Sequence, residues 1–221
     1  MGTSSIDLEQ NAMLSIARHP FRTRRPKMTP TYWLLGAISR PVVWSWFGLR
    51  VAGGEHLPQG GGFVLSSNHL SGFDAWALSA PLYPRQPRFM VKSELFRRPF
   101  RRLLGSIGLF PVCRGLGGVA AVGTAAGHAS AGCPVLIFPE GARRRNGRGD
   151  PPKTGAVRVA LAAAVPLIPA AIAGTDGSGR WRVVFGPRVE LDDLAVLPPD
   201  VAAREGTARL WQTVTALEAT L

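Results

Sequence analysis

At 221 residues the chain is long enough for one domain with a sizeable core, and a hydrophobic fraction of 46% excludes a mainly disordered protein. A formal net charge of +12 implies an anionic partner: a membrane surface, a phosphorylated substrate, an acidic carrier protein or nucleic acid. The two cysteines, Cys113 and Cys133, do not suggest a disulfide framework; both lie beside apolar runs, which suits buried thiols in a reducing, cytosolic setting.

The first residues, Met1 to Gln10, are polar and acidic, unlike a secretory signal, and Ile6 occupies the Ser/Thr place of a myristoylation pattern. Residues 1–27 read as a flexible arm that turns basic at Arg18, His19, Arg22, Arg24, Arg25 and Lys27. Residues 28–49 form two short apolar pieces around Arg40-Pro41 and carry Trp33, Trp44, Trp46 and Phe47. A basic segment beside short Trp-rich helices has the composition of an interfacial membrane anchor, each basic residue contributing about 1 kcal/mol near an anionic surface. The alternative is that these aromatics pack on the core while the arm is solvated. Arg40-Pro41, and further on Pro166 and Pro169, interrupt the apolar runs, so a transmembrane helix is not expected.

Residues 50–221 read as the main domain. Strands are predicted over 62–67, 88–92, 107–113, 134–138, 165–172 and 180–186, and helices near 74–81, 93–104, 117–131, 154–164 and 200–220. This alternation predicts an α/β fold, a mostly parallel central sheet flanked by helices, with the N-terminal helical segment at a membrane interface. In such sheets ligands bind beyond the carboxyl ends of the strands.

Directly after the first of these strands comes Asn68-His69-Leu70-Ser71-Gly72-Phe73-Asp74. On an ideal helix, residues five apart point about 140° from each other, so His69 and Asp74 meet only across a turn, which Ser71-Gly72 can supply. An imidazole held by a carboxylate at a strand end is equipped to act as a general base. The plainer reading makes Asp74 a helix N-cap and His69 a turn residue. Downstream, Arg97, Arg98, Arg101 and Arg102 alternate with apolar residues around Pro99, which reads as a solvated helix face, with membrane contact as the alternative. Arg143, Arg144, Arg145 and Arg148 fall in a Gly/Asn-containing loop suited to phosphate capture.

The His69–Asp74 segment heads an ordered set: Lys92-Ser93-Glu94-Leu95-Phe96, Phe110-Pro111-Val112-Cys113-Arg114-Gly115, Phe138-Pro139-Glu140-Gly141-Ala142-Arg143, and Val165-Pro166-Leu167-Ile168-Pro169 running to Gly174-Thr175. Together they resemble the glycerolipid acyltransferases of the lysophosphatidate acyltransferase type, over roughly residues 50–176. Two positions depart from that pattern: Cys113 stands where the family has an acidic residue, and Ala142 where it has threonine.

The resemblance implies transfer of a fatty acyl group from acyl-CoA or acyl carrier protein to the free hydroxyl of a lysophospholipid. Lysophosphatidate is the first expectation, and a lyso-ornithine lipid or glycolipid the alternative. His69 is then the base and Asp74 its orienting carboxylate, with the substrate's own hydroxyl as nucleophile. Lys92, Arg114, Glu140, Gly141 and Arg143 are the expected substrate-binding residues, with amides around Gly72 or Gly141 as oxyanion donors. No cofactor beyond the acyl co-substrate and no metal is expected, because His19, His56, His69 and His128 are scattered without ligand spacing. The expected place of work is the cytoplasmic face of a membrane, peripheral or monotopic.

Two other classes compete. Gly115-Leu116-Gly117-Gly118-Val119-Ala120 fits the G-x-G-x-x-A outline of a dinucleotide turn, but Pro111 interrupts the preceding strand and Arg114 stands at the turn itself. Nucleic-acid binding rests on charge alone and is not expected, since no RNA or DNA module is recognisable.

Overall fold

The computed structural model describes residues 28–93, 96, 99–112, 118–144 and 149–221, without the side chains of Lys92 and Val112. Seven strands, β1 (Arg50–Ala52), β2 (Phe63–Ser67), β3 (Arg88–Lys92), β4 (Leu109–Val112), β5 (Pro134–Ile137), β6 (Leu167–Ala173) and β7 (Arg182–Phe185), form one sheet ordered β1-β7-β6-β2-β5-β3-β4. Every pairing is parallel except β6 with β7. The helices are α1 (Pro30–Pro41), α2 (Asp74–Leu82), α3 (Arg101–Ser106), α4 (Gly118–Ser130), α5 (Gly155–Ala163) and α6 (Pro199–Glu218).

The core lies on both faces of the sheet, because side chains alternate along each strand. Val64, Val135, Ile137 and Leu167 point into one cluster with α4, α5 and α6. Phe63, Leu65, Leu136, Ile168, Val183 and Phe185 point into the other with Ala77 and Leu78 of α2 and Val43 and Leu49 of the N-terminal segment. This double burial explains why β2 reads in sequence as an unbroken apolar run. Neighbouring strands β2 and β5 are followed by helices on opposite faces, α2 and α5, so a crevice opens between their carboxyl ends.

Most predicted elements lie within about two residues of the observed ones, and the differences have local causes. The strand β1 was not predicted; three residues at the sheet edge are too short to show periodicity. The helix expected over 93–104 is, among the described residues, α-helical only from Arg101, just past Pro99. Pro111 is accommodated because β4 is an edge strand.

The N-terminal segment is attached to the domain. The Thr29 hydroxyl caps α1 by accepting from the Tyr32 N–H at 3.2 Å, and the Thr29 N–H donates to Gln86 Oε1 at 3.0 Å. After Pro41 the chain widens into a π turn, Val42–Trp46. Trp33, Trp44 and Trp46 are 53%, 39% and 84% exposed, alongside exposed Leu34, Leu35 and Ile38. Phe47, expected among the surface aromatics, differs: its ring stacks on Trp181 at 4.1 Å and packs edge-on to Trp76. The basic arm, residues 1–27, lies outside the described residues.

Candidate active site

Sheet register assembles the site. Ser66 of β2 lies opposite Ile137 of β5, and three residues further along the chain from each, past the strand ends, are His69 and Glu140. The two motifs are thus placed side by side by parallel pairing, although their sequence separation is large.

His69 and Asp74 meet across the turn. The Nδ1 of His69 is 2.7 Å from Asp74 Oδ2. That oxygen also accepts the N–H groups of Leu70, at 2.6 Å, and Ser71, at 2.9 Å, while Oδ1 accepts the Thr175 hydroxyl at 2.5 Å. A carboxylate already filled by main-chain donors acts as acceptor for the ring, so Nδ1 carries the proton and Nε2 keeps its lone pair. Asp74 is fully buried and the His69 side chain is 20% exposed, so only the imidazole is reachable. The Phe138 ring stacks on the imidazole at 4.0 Å with an interplanar angle of 11°. The N-cap reading of Asp74 fails: it is the first residue of α2, and its carboxylate turns back onto the loop before the helix.

Glu140 lies beneath this loop with no exposure. Its Oε1 accepts the main-chain N–H of His69 at 3.2 Å, and both its oxygens accept from Arg144 Nε at 3.1 Å. The Arg144 N–H in turn donates to the His69 carbonyl at 2.8 Å. His69 is gripped on both sides of its backbone. Glu140 was expected to bind substrate, but its buried carboxylate is spent on a neighbouring arginine and the histidine loop. Asn68, also buried, exchanges two hydrogen bonds with the backbone of Ile172, at 2.9 and 2.8 Å, pinning the loop to β6.

The remaining expected residues divide. Gly141 takes a left-handed conformation at φ +71°, and its N–H donates to the Phe138 carbonyl at 3.0 Å, which removes it as an oxyanion donor. Arg143 is exposed on the same loop. Lys92 ends β3 with its side chain outside the described residues, and Arg114 lies outside them altogether. Thr175, Phe138, Arg144 and Glu218 were not assigned site roles from sequence. Thr175 closed the last motif and Arg144 lay in the arginine loop, so both were within reach; Glu218 carries no local signal.

A cavity of about 520 Å³ runs between α1, α2 and the sheet. Its walls are almost wholly apolar and include Leu35 and Ile38 of α1, Trp76 of α2, Phe89 of β3, Leu109 of β4, and Gly72 of the turn between His69 and Asp74.

A family model described as "Acyltransferase" matches residues 48–173. The 1-acyl-sn-glycerol-3-phosphate acyltransferase of Bacillus subtilis (strain 168) is 32% identical over 178 residues, covering 77% of this chain and 88% of that protein. The chain belongs to the glycerolipid acyltransferase family. The crystal structure of the 1-acyl-sn-glycerophosphate (LPA) acyltransferase PlsC from Thermotoga maritima shares the fold, with a TM-score of 0.62 at 18% identity over 96% of this chain and 90% of that one. The His69–Asp74 turn, Glu140 and Arg143 all fall inside the matched segment of this O-acyltransferase, whereas α1 and α6 lie outside it. Among the described residues, no helix is long and apolar enough to cross a membrane.

One expected outcome concerns packing beneath the acyltransferase site. A Cβ on Gly149 would come within 1.9 Å of Glu140 Oε2. Gly149→Ala should therefore displace the buried carboxylate, lowering the melting temperature by several degrees and turnover with it. Thermal unfolding followed by circular dichroism, beside an acyl-transfer assay, checks both.

Proposed function

We propose that this acyltransferase moves a fatty acyl group from a thioester, acyl-CoA or acyl carrier protein, to the free hydroxyl of 1-acyl-sn-glycerol 3-phosphate at an anionic membrane surface. The observation that carries the reading is the His69–Asp74 contact of 2.7 Å beyond the carboxyl end of β2. An alcohol is a poor nucleophile at neutral pH, so a base must take its proton as it attacks. His69 Nε2 accepts that proton while the alcohol oxygen bonds to the thioester carbonyl carbon. Asp74 keeps the ring aligned and stabilises the imidazolium.

The tetrahedral oxyanion then needs a donor. Leu70 and Ser71 direct their N–H groups to Asp74, and Phe73 directs its own to the Ser71 hydroxyl. Gly72, without an intramolecular bond to the described residues and part of the cavity wall, is the loop amide that fits this role. Collapse of the intermediate breaks the carbon–sulfur bond, and the departing thiolate takes the proton from the imidazolium. No acyl-enzyme is formed.

The apolar cavity beside Gly72 suits an acyl chain, because burying methylene groups contributes about 0.8 kcal/mol each. Arg143, with Lys92 and Arg114, supplies cations for the acceptor phosphate. The exposed apolar side chains of α1 and the π turn, led by Trp46 at 84%, suit monotopic insertion into the membrane face that presents the lysolipid.

Thiol release from acyl-CoA, measured with a panel of lysophosphatidate, lyso-ornithine lipid and lysoglycolipid, tests the proposal. Lysophosphatidate should give the highest kcat/KM; preference for an acceptor without a phosphate would overturn it. In the same assay Arg143→Ala should raise KM for lysophosphatidate about 10-fold while leaving kcat within about twofold.

A further inference from the structure

The C-terminal helix reaches the site at its last turn. Glu218 Oε1 accepts from Arg144 Nη1 at 2.5 Å and lies 3.4 Å from Asn68 Nδ2, and Oε2 accepts from Arg144 Nη2 at 2.9 Å. Arg144 thereby bridges two carboxylates, with Nε on Glu140 and both terminal nitrogens on Glu218. Burial opposes charge on this guanidinium, but its bonds to Glu218 and then Glu140 outweigh that and raise its pKa. The Arg144 side chain is 16% exposed, and its guanidinium also lies over the Trp211 ring of α6 at 5.9 Å.

A carboxylate in the last turn of a helix faces the negative end of the helix dipole, and α6 has no basic residue in that turn. Its placement is unfavourable unless a cation answers it, and Arg144 is that cation. The guanidinium is planar, so fixing Nη1 and Nη2 on a helix also fixes the direction of Nε. Nε holds Glu140, Glu140 holds the His69 N–H, and the Arg144 backbone holds the His69 carbonyl. The far end, Glu218, is anchored because Leu210 and Val214 of α6 are fully buried against the sheet.

We propose that Glu218 is a positioning residue for acyl transfer, fixing the main chain of His69 through Arg144 and Glu140. The inference rests on the reading of His69 as the base. It adds to the site a residue from outside the segment that the family model matches. Glu218 acts on the imidazole through two intermediaries, so its loss shifts proton transfer and leaves substrate affinity alone.

The test uses the full-length enzyme with a fatty acyl-CoA and lysophosphatidate, with rates expressed per folded molecule. Glu218→Ala should lower kcat by about 10- to 100-fold, with both KM values within about twofold. Arg144→Ala should do the same, and the double variant should be no slower than the slower single, the signature of one shared path. Glu218→Gln, which keeps shape and an acceptor, should lose less; it supplies the same two constants should the alanine variant not fold. Unchanged kcat, a loss confined to KM, or additive losses in the double variant would overturn the proposal. His69→Ala is a separate arm: activity retained there sinks the base assignment, whatever Glu218 does.

Discussion

His69→Ala is expected to lower turnover by about 10³-fold or more while leaving the far-ultraviolet circular dichroism spectrum unchanged. The reason is geometric. Within the loop, His69 offers the reachable nitrogen, and Asp74 is wholly enclosed. Asp74→Asn should cost about 10²- to 10⁴-fold in kcat for a different reason. An amide carries no negative charge to stabilise the imidazolium, and its NH2 replaces one of the two oxygens that accept from the ring, Leu70, Ser71 and Thr175, so the charge-assisted hydrogen bonds weaken. Asp74→Asn should therefore also lower the melting temperature, and His69→Ala should not. Equal activity of wild type and His69→Ala in the thiol-release assay would reject the base assignment outright.

The second large effect is expected at Glu140. Removing a fully buried carboxylate leaves the His69 N–H unsatisfied and takes one of two anions from Arg144. Breaking a buried pair in this way costs about 3–5 kcal/mol, which for a chain of this size lowers the melting temperature by about 10 °C. Glu140→Ala should be both unstable and slow, and Glu140→Gln, which retains one acceptor, should be intermediate in both. Differential scanning calorimetry read beside kcat decides the point. A stable Glu140→Ala enzyme whose loss is confined to KM for the acceptor would restore the substrate-binding role that the sequence suggested.

Much of this molecule was legible before its structure. Burial of β2, β5 and β6 on both faces left apolar runs, and the Gly-containing turns and Ala-rich stretches between them marked helices. The five-residue spacing allowed His69 and Asp74 to meet only across a turn, and the ordered motifs around them favoured that pairing over a helix cap. Roles were harder to read than positions. Glu140 follows a proline at a strand end, where a solvated turn carboxylate and a buried one look the same in sequence; only the neighbouring loop decides. Phe47 was grouped with Trp44 and Trp46 by composition, although the turn after the π helix sends it inward to Trp181. Arg143 and Arg144 are adjacent and chemically identical. Their division into one exposed and one doubly paired guanidinium depends on Glu218, 74 residues further along the chain.

The register that sets Ser66 against Ile137 has a consequence for reading related chains. A single residue inserted or deleted within β2 or β5 would carry one motif past the other and reverse which way its side chains face, with every motif letter preserved. Such a chain would pass any inspection of its signature sequences and still be catalytically dead. Strand length between anchor and motif is thus as much a part of this enzyme's specification as the histidine itself.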